Sequence, residues 1–205
     1  MNPEETPEEL KAETPAAASA AEKGAKTADP HAGRIDLYFW LQTLVMALVT
    51  LILVFTFVGR IIGVDGLSMY PTLNHRDMLL LQTIGYTPKQ GDVVVATKKD
   101  FREGKPVVKR VIATGGQTVD IDYAANTVSV DGVVLDEPYL GEPMYNPSQE
   151  TVTHAQVPVG SVFVMGDNRN NSTDSRFPEL GMIDRREVLG RAFFILLPPT
   201  HIGGL

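Results

Sequence analysis

A serine in a turn and a lysine in an apolar strand are the residues of this 205-residue chain whose types could do chemistry together. Ser68 stands in Gly66-Leu67-Ser68-Met69-Tyr70-Pro71-Thr72-Leu73. Pro71 holds Tyr70 in extended geometry, so the segment cannot run on as a helix. A hydroxyl presented there becomes a nucleophile once a neighbouring base takes its proton. The same residues also describe an ordinary turn-forming serine. Lys109 stands in Val107-Val108-Lys109-Arg110-Val111-Ile112-Ala113. Strand alternation puts Lys109 on one face with Val107 and Val111, and Arg110 on the other. Valines around an amine desolvate it and lower its pKa, and only the neutral amine accepts a proton. A solvated edge-strand lysine that discourages aggregation fits this pattern too.

A third stretch, Gly166-Asp167-Asn168-Arg169-Asn170-Asn171-Ser172-Thr173-Asp174-Ser175-Arg176, follows the apolar run VFVM. Its Asp and Arg residues at i, i+2 spacing suit a folded, ion-paired loop. Ser172 could hydrogen-bond a nearby lysine amine and fix its orientation. A solvated loop rich in Asn and Asp for turn reasons reads the same way.

Other chemistries find little support. The chain has no cysteine, which removes disulfides, thiolate catalysis and Cys-based zinc sites together. The histidines are His31, His75, His154 and His201, and no pair has the spacing of helical metal ligands, so no metal is expected. A Ser-His-Asp triad through His75 or His154 gains nothing from spacing. The formal net charge of -7 argues against a nucleic-acid partner, which asks for clustered Lys and Arg.

Three unlike segments must position these residues. Residues 1–36 carry eight acidic side chains against four basic ones and almost no large apolar residue, so a disordered acidic tail is expected. Residues 37–59, LYFWLQTLVMALVTLILVFTFVG, hold no charge and would span about 35 Å as a helix, enough to cross a bilayer. Tyr38 and Trp40 open this span and Arg34 and Arg60 bracket it, as expected of a membrane anchor. Lys23, Lys26 and Arg34 before it outweigh Arg60 and Arg76 after it, which points to a cytoplasmic N-terminus.

Residues 60–205 alternate β-favouring runs with turns: DMLLLQTI, GDVVVAT, PVVKRVIAT, QTVDID, NTVSVDGVVL, GSVFVMGD and RAFFILLP. Asp131-Gly132 between alternating runs predicts a hairpin. The fold class expected is mainly β, a folded-sheet or barrel-like domain behind one transmembrane helix, with a short helix admissible only near Pro178–Val188.

Taken in order, these blocks resemble bacterial type I signal peptidases. The family carries a Ser-Met-x-Pro-Thr-Leu block after its anchor, matched by Ser68 to Leu73. A Gly-Asp-hydrophobic strand follows, matched by Gly91-Asp92-Val93-Val94, then a Lys-Arg-hydrophobic block, matched by Lys109-Arg110-Val111 with Gly115-Gly116 beyond. The polar loop matches without a gap from Gly166 to Arg176. The resemblance implies a membrane-anchored serine endopeptidase that removes N-terminal signal peptides from secretory preproteins after small residues, in an Ala-x-Ala pattern. Ser68 is then the nucleophile, Lys109 the general base, Ser172 the orienter of the amine, and Asp174 and Arg176 the braces of the loop. Val64, Leu73 and Val108 fall where shallow apolar pockets would be lined. No cofactor is implied. The partners implied are preprotein substrates and the lipid bilayer, the catalytic domain lying outside the cytoplasm as a monomer. Some members carry a serine two residues before the nucleophile that adds to the oxyanion hole; here that position is Gly66. Two rivals remain. An autoproteolytic SOS-type repressor needs a DNA-binding domain where this chain has its apolar span. A catalytically dead peptide-binding β module does not need Ser68 and Lys109 intact.

Overall fold

A computed structural model describes residues 32–57 and 59–205, so the acidic stretch expected to be disordered lies outside the described residues except for positions 32–36. Helix α1 runs Ala32–Phe57. It shares residues 37–57 with the span expected from the sequence, and the chain is already in a strand from Gly59. At 1.5 Å per residue its 26 residues reach about 39 Å. Residues 36–53 have a mean hydropathy of 1.8 and none is buried, Trp40 and Leu37 included. The helix is thus long and apolar enough to cross a membrane, with no face set apart for packing on protein.

The remainder of the chain is mainly β, as its runs predict. In chain order the strands are β1 (Gly59–Gly63), β2 (Met78–Gln82), β3 (Val93–Ala96), β4 (Val107–Thr114), β5 (Thr118–Asp122) and β6 (Thr127–Val130). They continue with β7 (Val133–Val134), β8 (His154–Gln156), β9 (Ser161–Met165), β10 (Ile183–Asp184), β11 (Val188–Leu197) and β12 (Gly203–Gly204). One sheet has the order β1-β2-β11-β3-β4-β9-β10 with β12 added to β11; the other has the order β7-β6-β5-β8. Every pairing is antiparallel.

Burial explains the two sequence patterns. β3 lies mid-sheet and is covered on both faces, so it reads VVVA without alternation: Val93 and Val95 join one core, Val94 and Ala96 another. β5 and β6 alternate instead, placing Val119, Ile121, Val128 and Val130 on one core. Each such side chain contributes about 1.5–3 kcal/mol through removal from water. Strand β4 carries a register shift against β9 between Val111 and Ala113. The bulge breaks simple alternation, so Val111 packs with Val94 while Ile112 and Ala113 both turn to the core under the second sheet.

The β6–β7 hairpin turns on Asp131-Gly132, with Val130 opposite Val133. Both central residues have positive φ, 53° and 80°, the geometry of a two-residue type I′ turn. The region near Pro178–Val188 contains no α-helix. It forms β10 and a 3-10 turn at Arg185–Glu187, because Asp184 caps that turn and commits the chain to only one.

Candidate active site

Ser68 rides on a turn pinned from beneath. The N–H of Tyr70 donates to the Leu67 carbonyl at 3.1 Å and that of Leu73 to the Met69 carbonyl at 2.9 Å. Met69 and Leu73 are both fully buried, so the turn's alternate side chains anchor it in the core while Ser68 stays partly accessible. Lys109 reaches the turn from β4. Its Nζ donates to Ser68 Oγ at 2.7 Å. Val107, two residues away on the same strand face, lines the same cleft, and Arg110 leaves on the other side.

Lys109 is 4% exposed. Burial pushes its pKa down from 10.5 to about 8; the Asp174 carboxylate pulls it back up, while the Arg102 and Arg176 guanidinium groups push further down. A serine hydroxyl in contact with an amine that sheds its proton this close to neutrality can be activated as a nucleophile. Among the described residues, no histidine intrudes. His75 Nδ1 accepts from the Gly66 N–H, His154 is paired with Asp120, and His201 with Asp77.

The loop Gly166–Arg176 folds through its charges, as its composition predicts. Arg176 forks onto Asp174 (Nε to Oδ1 2.8 Å, an Nη to Oδ2 2.9 Å), and both are buried. The same carboxylate accepts from the Gly166 N–H, and Arg176 also donates to the Arg169 carbonyl. The loop then grips the serine turn: the Asn168 N–H donates to the Ser68 carbonyl at 3.0 Å, and its side-chain amide to the Leu67 carbonyl at 3.1 Å. The approach is so close at Gly166 that an added Cβ would run into the Ser68 carbonyl oxygen and the Ser172 hydroxyl. Only glycine fits.

Ser172 lines the cleft with Ser68 and Lys109, but the hydrogen bond expected between Ser172 and the lysine amine is not formed. Its Oγ is buried without a hydrogen-bond partner. Val64, Leu73 and Val108 are buried in one apolar cluster beneath the turn, and the apolar lining of the cleft comes instead from Leu67, Phe101, Val107 and Phe177. The cleft encloses about 440 Å³.

A second brace was not legible in the sequence. Arg110 forks onto Asp167 (2.8 and 2.6 Å), Thr72 Oγ1 donates to the same carboxylate, and the guanidinium stacks 3.9 Å over the Tyr139 ring. It ties the residue after Lys109, the residue after Gly166 and the serine turn into one rigid unit. The partners are 57 and 95 residues apart in sequence, so no local spacing announces them.

Relatives share this sequence over most of its length. The family described as signal peptidase, peptidase S26, matches residues 37–197. A probable signal peptidase I-1 of Synechocystis is 36% identical over 174 residues, which is 80% of this chain and 85% of that protein. Signal peptidase I S of Bacillus subtilis is 34% identical over 169 residues, 78% of this chain and 88% of its own. A crystal structure of a signal peptidase I from Enterococcus faecalis is similar with a TM-score of 0.43 and 30% sequence identity, covering 52% of this chain and 97% of that one.

Proposed function

The chain belongs to the signal peptidase family, peptidase S26, and from that premise we propose that it is a membrane-anchored serine endopeptidase that removes signal peptides from secretory preproteins after small residues at Ala-x-Ala sites. The observation that carries the chemistry is the 2.7 Å contact between the buried Lys109 amine and Ser68 Oγ. In this reading the neutral amine takes the hydroxyl proton as Ser68 Oγ bonds to the scissile carbonyl carbon. The tetrahedral oxyanion is met by the Ser68 backbone N–H. Collapse breaks the C–N bond, and the Lys109 ammonium returns the proton to the departing amine. A water then gives its proton to Lys109 and its oxygen to the acyl carbon, releasing the signal-peptide carboxylate and restoring the serine.

Gly66 brings no hydroxyl to the oxyanion site, so the Ser68 N–H is the donor this mechanism names. Ser172 is assigned to orient the amine: its unpartnered, buried Oγ lines the same cleft and is free to accept from the ammonium once Ser68 has been acylated. Asp174 and Arg176 hold that loop. Helix α1 is assigned to the plasma membrane or inner membrane as a single pass, with the N-terminus cytoplasmic and the β domain outside.

The test is cleavage of a preprotein carrying an Ala-x-Ala site by the detergent-solubilised full chain, beside S68A and K109A. Wild type is expected to release the mature protein and neither variant to do so. Undiminished cleavage by either variant removes the dyad, and no cleavage by wild type removes the protease reading. A pH profile gives the base independently. Activity is expected to rise with pH through about 8, since the amine accepts a proton only above its own pKa.

A further inference from the structure

The rim of the cleft carries a charge that neither takes the serine proton nor bonds to the reacting atoms. Arg102 lines the cleft beside Phe101, and across from it stand Asp65, Gly66 and Leu67, the approach to the nucleophile. An Arg102 Nη lies 3.6 Å from Asp65 Oδ2, so the pair joins the β3–β4 connection to the serine turn. Both groups remain open to water, 46% and 78% exposed, so the contact is loosely held and a competing carboxylate exchanges for Asp65 at little cost.

The backbone beneath Arg102 is unusual. Arg102, Glu103 and Gly104 all have positive φ, at 49°, 59° and 75°. A run of left-handed residues that includes non-glycine side chains is unfavourable and persists only where its surroundings hold it. Here the Gly104 N–H donates to the Phe101 carbonyl at 3.0 Å and the Lys105 N–H to the Arg102 carbonyl at 3.1 Å. These bonds hold the backbone of the turn from which the Arg102 side chain lines the cleft. The other charges of that turn, Glu103 and Lys105, lie 3.8 Å apart and offset each other. Arg102 and Asp65 are then the charges at the mouth, and the Arg102 field reaches the floor, where it lowers the Lys109 pKa.

We propose that Arg102 is a substrate-selecting residue, which favours peptides carrying an acidic side chain near the scissile bond and disfavours those carrying a basic one. The inference rests on the protease reading of the same cleft. When a peptide enters, it excludes water from the rim, and the guanidinium then exchanges Asp65 for a substrate carboxylate, which it meets with a fork of N–H donors. A lysine placed there meets the guanidinium instead and is repelled. The charge of Arg102 thus acts on which peptide is held, while Ser68 and Lys109 act on the bond.

The experiment uses the full-length protein in detergent and a neutral parent peptide with an Ala-x-Ala site. A series carries a single Glu or a single Lys at each position within four residues of the cleavage point, and kcat/KM is read for each. Wild type is expected to prefer Glu over Lys by about three- to tenfold at one or more positions, the range set by an exposed ion pair and its like-charge counterpart. R102Q brings that ratio to near one, R102E inverts it, and R102K retains its direction. D65N raises it, because the guanidinium is released. A merely structural role for Arg102 would lower all peptides together and leave the ratio alone. Equal cleavage of Glu and Lys peptides by wild type, or a ratio unchanged in R102Q and R102E, overturns this inference alone. Failure to cut the neutral parent overturns the protease reading and this inference with it.

Discussion

At the scale of residues, Lys109 is placed where it costs stability. Its amine titrates near 8 in the folded chain against 10.5 when free, so between these values the unfolded chain binds more protons than the folded one. Stability from this group therefore rises as pH climbs from about 8 to 10.5, and the penalty is fully present below 8. K109M removes the buried charge at similar volume, and at pH 7 it is expected to gain on the order of 2 kcal/mol, net of the lost bond to Ser68. Denaturant titrations of both proteins at pH 7 and pH 10 check this: the gap should shrink at the higher pH, and a gap of the same size at both would show that burial of the ammonium is not its source. Ser172 makes the complementary case. Its hydroxyl has no hydrogen bond to lose, so S172A is expected to shift stability by less than about 1 kcal/mol. If it orients the amine in the working enzyme, the same variant lowers kcat by about tenfold or more. A drop in kcat with an unmoved denaturation midpoint supports the orienting role; unchanged turnover removes it.

At the scale of elements, the polar loop and the serine turn behave as one piece. Asp174 is the carboxylate that holds Arg176 and the Gly166 N–H, and all three residues are buried. D174A strands a buried guanidinium and is expected to cost about 3–5 kcal/mol. It also loosens Asn168 from the Ser68 carbonyl, so activity should fall in the fraction that remains folded; circular dichroism melts beside cleavage rates of the soluble fraction separate the two effects. Much of this was legible in the chain. Asp167 to Arg169 and Asp174 to Arg176 advertise ion pairing by spacing, and the second of these pairs forms as expected. The first does not: Asp167 turns to Arg110, and Arg169 to Glu137. Which of two available cations a carboxylate meets is settled by strand register, and the bulge between Val111 and Ala113 cannot be read from local pattern. The longer strands were legible because burial on one or two faces imposes alternation or a continuous run. β8, β10 and β12 have two or three residues each, too few to show any period. β1 escaped for another reason, since Gly59–Gly63 adjoins the apolar span and its isoleucines extend that signal.

At the scale of the whole molecule, the proposed chemistry requires that a cleft able to bind preproteins lie on the side where they emerge, which makes membrane orientation a functional property. Lys23, Lys26 and Arg34 precede the apolar span, whereas Arg60 and Arg76 follow it, and the proposed orientation keeps this more positive N-terminal side in the cytoplasm. In that proposed orientation the β domain is carried across. The absence of cysteine from the chain makes this directly measurable, because any introduced thiol is the sole one. Val159 is 92% exposed in the turn before β9, so V159C offers an accessible reporter that leaves the core untouched. S19C places the reporter in the acidic stretch ahead of the helix. In intact cells a membrane-impermeant maleimide is expected to label V159C and to spare S19C, which should label only after permeabilisation. Labelling of S19C alone would invert the orientation, and labelling of both would mean that α1 does not span. The first result would remove the cleft from the compartment in which its substrates appear, and the signal-peptide reading with it; the second would remove the transmembrane anchor.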